Sequence, residues 1–165
     1  MSEFSPGPVG SDELLIRIIV APQHIHPKKK TPKAGALADA ERGGLSIFRN
    51  DQATNEEIRR VAEALVNRAR KIHGEKAGVF GVIMMSCKVV RECRAENEVD
   101  PSFCVYDTGL SDMTSHSEAF QRIHNADDAL REARRCALFN AVKDNFLDVF
   151  SFRDGLLSDL APKST

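Results

Sequence analysis

Tryptophan is absent from the chain, and Tyr106 is its only tyrosine. With so few aromatic rings it is a poor candidate for a platform that stacks the bases of a single strand. Charge of one sign is lacking too: 23 Lys and Arg stand against 24 Asp and Glu, a formal net charge of −1. That balance gives no strong nucleic-acid signal and no pull toward an acidic membrane surface. Long hydrophobic runs are missing. The apolar stretches 14–21 and 79–85 fall well short of the ~20 residues that cross a bilayer. The start, Met1-Ser-Glu-Phe-Ser-Pro-Gly-Pro8, has no basic region followed by an apolar core. No secretory leader is expected, and the cytoplasm is the expected location.

Signature motifs are equally scarce. There is no G-x-x-x-x-G-K-[ST] and no G-x-G-x-x-G after a strand, so the common nucleotide fingerprints are missing. G-x-S-x-G and H-E-x-x-H are missing as well, which leaves the familiar hydrolase classes without direct support. Cys87, Cys93, Cys104 and Cys136 form no C-x-x-C pair. They lie in segments that read as core elements, so they are expected to be small, buried, reduced thiols. For Cys87 or Cys93 to act as a nucleophile, a neighbouring base would be needed to make the thiolate.

What is present is organised around Glu13-Leu-Leu-Ile-Arg-Ile-Ile-Val-Ala21. This β-branched run suits a pleated surface, and Pro22 ends it. Apolar residues on both faces indicate a strand covered on both sides. Arg17 is the exception and calls for partial exposure or a carboxylate partner. The strand empties into Pro22-Gln-His-Ile-His-Pro27, followed by Lys28, Lys29, Lys30 and Lys33. Long loops of this kind serve as lids or binding lips.

Residues 36–42 read as a short helix ended by Gly43-Gly44, and 45–49 as a short strand. Thr54 with Glu57 forms a capping-box pattern. The helix it opens runs to about His73 and stops at Gly74. Its core stripe is Ile58, Val61, Ala62, Leu65, Ala69 and Ile72. An apolar run from Gly78 follows, by a β-α-β crossover or an antiparallel return, and Gly81 invites another backbone close. Residues 102–107 form another strand, while 116–123 fits either a strand or a helix start. Asn125 caps the last helix, Phe146, Leu147 and Phe150 extend its apolar stripe, and Arg131, Arg134 and Arg135 form a solvated basic face.

The pattern specifies an α+β fold: a single globular domain over 13–160, flanked by flexible tails at 1–12 and 161–165. Its expected core is a mixed β-sheet of about four to five strands packed by two main helices, 54–73 and 126–150.

Candidate chemistry centres on histidine. On an extended segment His24 and His26 point to one side. With unperturbed pKa values near ~6.5 they can divide acid and base roles, with His116 as a distant third. The leading reading is a site for a phosphate-bearing or nucleotide-like anion, with catalytic His24, His26 and His116 and ligand-binding Lys28, Lys29, Lys30 and Arg49. Arg49 follows a strand, and its fork suits phosphate or carboxylate. The alternative is a non-catalytic interaction or dimerisation domain, with the alanine-rich face of the last helix meeting a second copy. A further alternative is a metal-dependent hydrolase with zinc on His24, His26 and His116, three ligands and one open position. No cofactor is otherwise expected.

The order H-I-H-P, then G-L-S-I-F-R, a strand with Gly81 and a Ser-His-Ser segment resembles the layout of small bacterial proteins with a short apolar strand ending in His-Pro. The likeness spans Leu14 to Phe120 and carries no assigned reaction. A histidine near the end of an early strand also resembles ADP-ribosyl-transfer folds, where it holds a nicotinamide cofactor. The glutamate motif of that group has no match here.

Overall fold

The computed structural model describes residues 3–122 and 126–163. Its elements in chain order are β1 (Leu14–Ala21), α1 (Asp39–Arg42), β2 (Leu45–Arg49), α2 (Asn55–His73), β3 (Gly78–Ser86), α3 (Cys87–Glu92), β4 (Phe103–Asp107), β5 (His116–Gln121), α4 (Asp128–Val142) and β6 (Phe146–Asp148). Short 3-10 turns, among them Ala34–Leu37 and Lys143–Asn145, join them.

The strands form one sheet in the order β4-β5-β2-β1-β3-β6. Every pairing is antiparallel, so the sheet has six strands and is not the mixed sheet of four to five expected from sequence. β2 and β3 each run antiparallel to β1, which lies between them. They are therefore parallel to each other, and α2 crosses from one to the other over the central strand.

The sixth strand comes from residues assigned above to the last helix. α4 ends at Val142, where Lys143, Asp144 and Asn145 make a 3-10 turn. Asp and Asn favour their own local hydrogen bonds over a helix interior. Phe146–Asp148 then pairs with Gly81–Ile83. Gly81 permits that approach, because a Cβ there would overlap the Leu147 carbonyl oxygen. The N-cap of α4 is Asp127, whose carboxylate accepts from Leu130 N at 2.8 Å. Asn125, the expected cap, lies outside the described residues.

β1 alternates strictly. Leu15, Ile19 and Ala21 join Leu45, Ile47, Phe103, Leu138 and Val142 in a core covered by α1, α3 and α4. Ile16, Ile18 and Val20 join Phe48, Ile58, Ala62, Val66, Phe152 and Leu157 on the other face, under α2 and the C-terminal segment. The capping box on α2 is complete: Thr54 Oγ1 accepts from Glu57 N, and Glu57 accepts from Thr54 N. Such a cap contributes about 1 kcal/mol. Its buried positions are Ile58, Ala62, Val66 and Ala69, while Ile72 is 73% exposed.

Three charged side chains are buried in ways their sequence neighbours do not announce. Arg134, read as part of a solvated face, is 1% exposed and pairs with Glu98, its Nε donating at 3.0 Å. Arg17 reaches the Asp39 carboxylate and donates to Ser46 O and Ala36 O. Arg49 donates to Glu13 at 2.6 and 2.7 Å, to Asp107 at 2.9 Å and to Gly7 O at 2.7 Å. Residues 3–12 are thereby tied down: Ser5 Oγ donates to Asp107 at 2.6 Å, and Val9 is buried. Among the described residues no helix is long and apolar enough to cross a membrane.

Candidate functional site: two hollows at the end of β1

β1 ends at Ala21, and the chain turns at once. His24 N donates to Val20 O at 3.0 Å and Ile25 N to Pro22 O at 3.4 Å. Alternation therefore stops at Ala21, and the rule that puts residues two apart on one side no longer holds for His24 and His26. Residues 25–32 close into a tight loop through a bridge between Ile25 and Pro32. His26 is exposed and lines a shallow hollow with Lys29, Thr31, Lys143 and Asp144. His24 turns toward the opposite side of the strand end.

A hollow of about 630 Å³ lies beside Ala21 and Pro22. That volume suits a ligand of drug or nucleotide size. Pro22, Ile25, Val79, Phe80, Val149 and Phe150 give it apolar walls. Lys30, Lys76 and Lys163 bring three ammonium groups to its rim, against one carboxylate, Asp148. Asp148 is occupied. It accepts from Phe150 N, Ser151 N and Ser151 Oγ at 2.8–3.0 Å, and these bonds hold its pKa below the usual carboxylate value. Lys163 pairs with Glu75 at 2.7 Å. The ammonium groups of Lys30 and Lys76 have no hydrogen-bond or ion partner among the described residues.

The second hollow, about 320 Å³, is a cleft between the sheet and α2. It exists because β1 pairs with β2 only at Leu15 and Ile16, whereas it pairs with β3 along its whole length. Past Phe48 the two strands part, and the Arg17 guanidinium fills the gap. Its Nη1 donates to Ser46 O at 2.9 Å. Ser46, Arg17 with its partner Asp39, His24, Gln23 and Arg68 supply the polar lining, and Phe48, Val61 and Leu65 the apolar part.

His24 Nδ1 accepts from Val20 N at 3.1 Å. That bond leaves the proton on Nε2, 3.2 Å from the Gln23 side-chain amide, whose oxygen must face the ring to accept it. Burial, reinforced by the Arg17 charge, pulls the His24 pKa down to about 4. His24 is thus a neutral donor at neutral pH and not a group poised to titrate there. His116 lies behind Ser46, itself buried. Its Nε2 is 2.9 Å from Ser46 Oγ and its Nδ1 is 2.8 Å from Thr108 Oγ1. Burial lowers its pKa as well.

The residues selected from sequence are therefore dispersed. Lys30 lines the large groove, and His26 and Lys29 line the shallow hollow. Lys28 is exposed and lines none of these hollows. His24 lines the cleft, and His116 reaches it only through Ser46. Arg49 faces the other side of the sheet and is spent on carboxylates and carbonyls, so no fork is left for a ligand. Among the described residues no group of three His, Cys, Asp or Glu is placed to hold a metal ion. Burial raises the Cys87 pKa and takes that of Cys93 up to about 11, the opposite of thiolate activation.

Sequence reasoning missed Lys76, Lys163 and Phe150 on the groove and Ser46 and Arg68 at the cleft. Ser46 carried a signal: it is the polar residue of an alternating strand, on the face opposite Leu45 and Ile47. The two lysines carried none, since they flank the sheet from distant parts of the chain. No family model, no curated protein and no solved structure matches this chain.

Proposed function

We propose that the protein binds a small phosphate-bearing ligand with an apolar or aromatic portion, nucleotide-like in build, in the groove at the end of β1. One observation carries this reading: Lys30 and Lys76, two ammonium groups unpartnered among the described residues, stand on the rim of this large, mostly apolar hollow. The apolar walls favour a ring or chain, with Phe150, 67% exposed, offering an open aromatic face. The lysines favour an anion at the edge. They act as point charges and not as forks, so the site selects for charge more than for the shape of the anionic group. Binding weakens with salt, because exposed ammonium groups are screened over about 10 Å at 0.1 M.

A thermal-shift series with AMP, pyrophosphate and adenosine tests this. A ligand that binds only the folded state raises the melting temperature. AMP, which offers both parts, is expected to raise it most, and Lys30→Glu with Lys76→Glu to abolish the rise. A melting temperature unmoved by millimolar AMP would remove the reading.

A second reading is an interaction domain. It is favoured by the apolar side chains near β6, one of the two edge strands: Leu147 is 36% and Phe150 67% exposed. Sedimentation distinguishes the two. A mass that doubles with concentration, and falls back in Phe150→Ser, supports a self-association edge; a monomer at all concentrations leaves the groove to a small ligand.

A further inference from the structure

The cleft on the other side of the strand end holds a hydroxyl and an imidazole in contact. Ser46 Oγ lies 2.9 Å from His116 Nε2, and Ser46 is half-buried on the cleft wall. The far nitrogen of His116 lies 2.8 Å from Thr108 Oγ1. The histidine is clamped by backbone as well: Thr108 N donates to His116 O, and His116 N donates to Met113 O, each at 3.2 Å. A nucleophile, a base and a group orienting the base stand in sequence, which is the arrangement an activated serine requires. Here a threonine replaces the usual carboxylate, so the relay is weaker than one with a buried acid.

We propose that this cleft is a hydrolytic site in which Ser46 attacks the carbonyl of a small ester and His116 carries the proton. Ser46 Oγ bonds to the acyl carbon as its proton passes to His116 Nε2. The acyl–oxygen bond of the ester then breaks, and the His116 proton goes to the departing alkoxide. Water repeats the sequence: its proton goes to His116, its oxygen to the acyl carbon, and Ser46 leaves with the proton returned. Atoms balance with water as the only co-reactant. The cleft is separate from the lysine-rimmed groove and shares no lining residue with it.

The Arg17 guanidinium lines the cleft beside Ser46 and is the donor nearest the negative charge that develops on the carbonyl oxygen. Arg17 uses three N–H groups on Ala36 O, Ser46 O and Asp39, and a guanidinium carries five. Fixed donors of this kind supply much of the acceleration in acyl transfer. His116 faces Thr108 and Asp107 from the β4 side and Ser46 from β2, with Glu118 two residues along its own strand. Burial keeps its imidazole unprotonated at neutral pH despite those carboxylates. Arg68, exposed and without a partner among the described residues, stands on the lip. The preferred substrate therefore carries a carboxylate away from the ester bond.

The test uses the full chain, a fluorophosphonate probe and two p-nitrophenyl esters, the acetate and the hemisuccinate. The probe should attach to Ser46, identified by mass spectrometry of the digest, and p-nitrophenol should appear in a burst equal to the protein present. Ser46→Ala is expected to abolish both. His116→Gln should slow hydrolysis at least a hundredfold, and Arg68→Ala should lower the ratio of the hemisuccinate rate to the acetate rate. Thr108 is a positioning residue. Thr108→Val should shift the pH profile of hydrolysis and leave KM in place. Folded wild type that takes no label at Ser46, or hydrolysis that persists in Ser46→Ala, overturns the proposal. Labelling of the wild type needs no variant to fold.

Discussion

Arg49 Nη1 lies 2.9 Å from Asp107 Oδ2, and both side chains are buried, the aspartate completely. The same guanidinium grips both oxygens of Glu13 and the Gly7 carbonyl. One residue thus joins β2, the end of β4 and the N-terminal segment. Removing the cation strands a carboxylate away from water, which typically costs about 3–5 kcal/mol. Arg49→Met is expected to lower unfolding free energy by about that much in urea, and Arg49→Met with Asp107→Asn to recover part of it. AMP binding to the folded fraction should not change. A large loss of binding with little loss of stability would show that Arg49 contacts ligand after all.

Glu98 and Arg134 set an acid limit. The guanidinium beside it, helped by Ser102 Oγ and Ala95 N, takes the Glu98 pKa down to about 2. A depressed carboxylate stabilises the fold fully above its unfolded pKa, and that contribution is lost as pH falls through the folded value. The loss from Glu98 is expected between about 4.5 and 2. His24 acts in a higher window. Its imidazole is held neutral down to about 4, so the unfolded chain takes up a proton first and stability falls between about 6.5 and 4. Melting temperatures measured from pH 7 to 3 should show both declines. His24→Gln should flatten the upper one only.

Gly81 couples the fold to the groove. A Cβ at this position meets the Leu147 carbonyl and the Phe146 ring, and the end of β6 and the two residues after it supply Asp148, Val149 and Phe150 to the groove wall. Gly81→Ala is expected to cost about 1–3 kcal/mol by overpacking and to weaken AMP binding at least tenfold. Unchanged affinity in this variant would mean that the β6 side of the groove does not touch the ligand.

Periodicity and punctuation were the readable parts of this chain. The first strand, the capped helix from Thr54 to Gly74 and the strand at 45–49 follow from alternation, a capping box and glycine stops, which are local signals. Gly81 was readable as a close approach, though not as an approach by β6. The sixth strand was hidden because Phe146 and Leu147 continue the apolar spacing of α4, and only a three-residue turn of weak helix formers separates them from it. Arg134 looked like surface because its partner Glu98 lies 36 residues away. The dispersal of the candidate site residues has a similar cause. His24 and His26 share a side only if the strand continues, and the turn at Pro22 sends them into different hollows. Lys30 was flagged by its basic run, while Lys76 and Lys163 reach the groove by chain folding alone.

The most direct test of ligand binding at the strand end is an NMR titration of the labelled chain with AMP, reading backbone amides. Saturable shifts should concentrate at Ile25, Lys30, Lys76, Phe80, Phe150 and Lys163 and shrink as salt is raised. Shifts confined to Gln23, His24 and Ser46, or spread evenly over the surface lysines, would contradict the account.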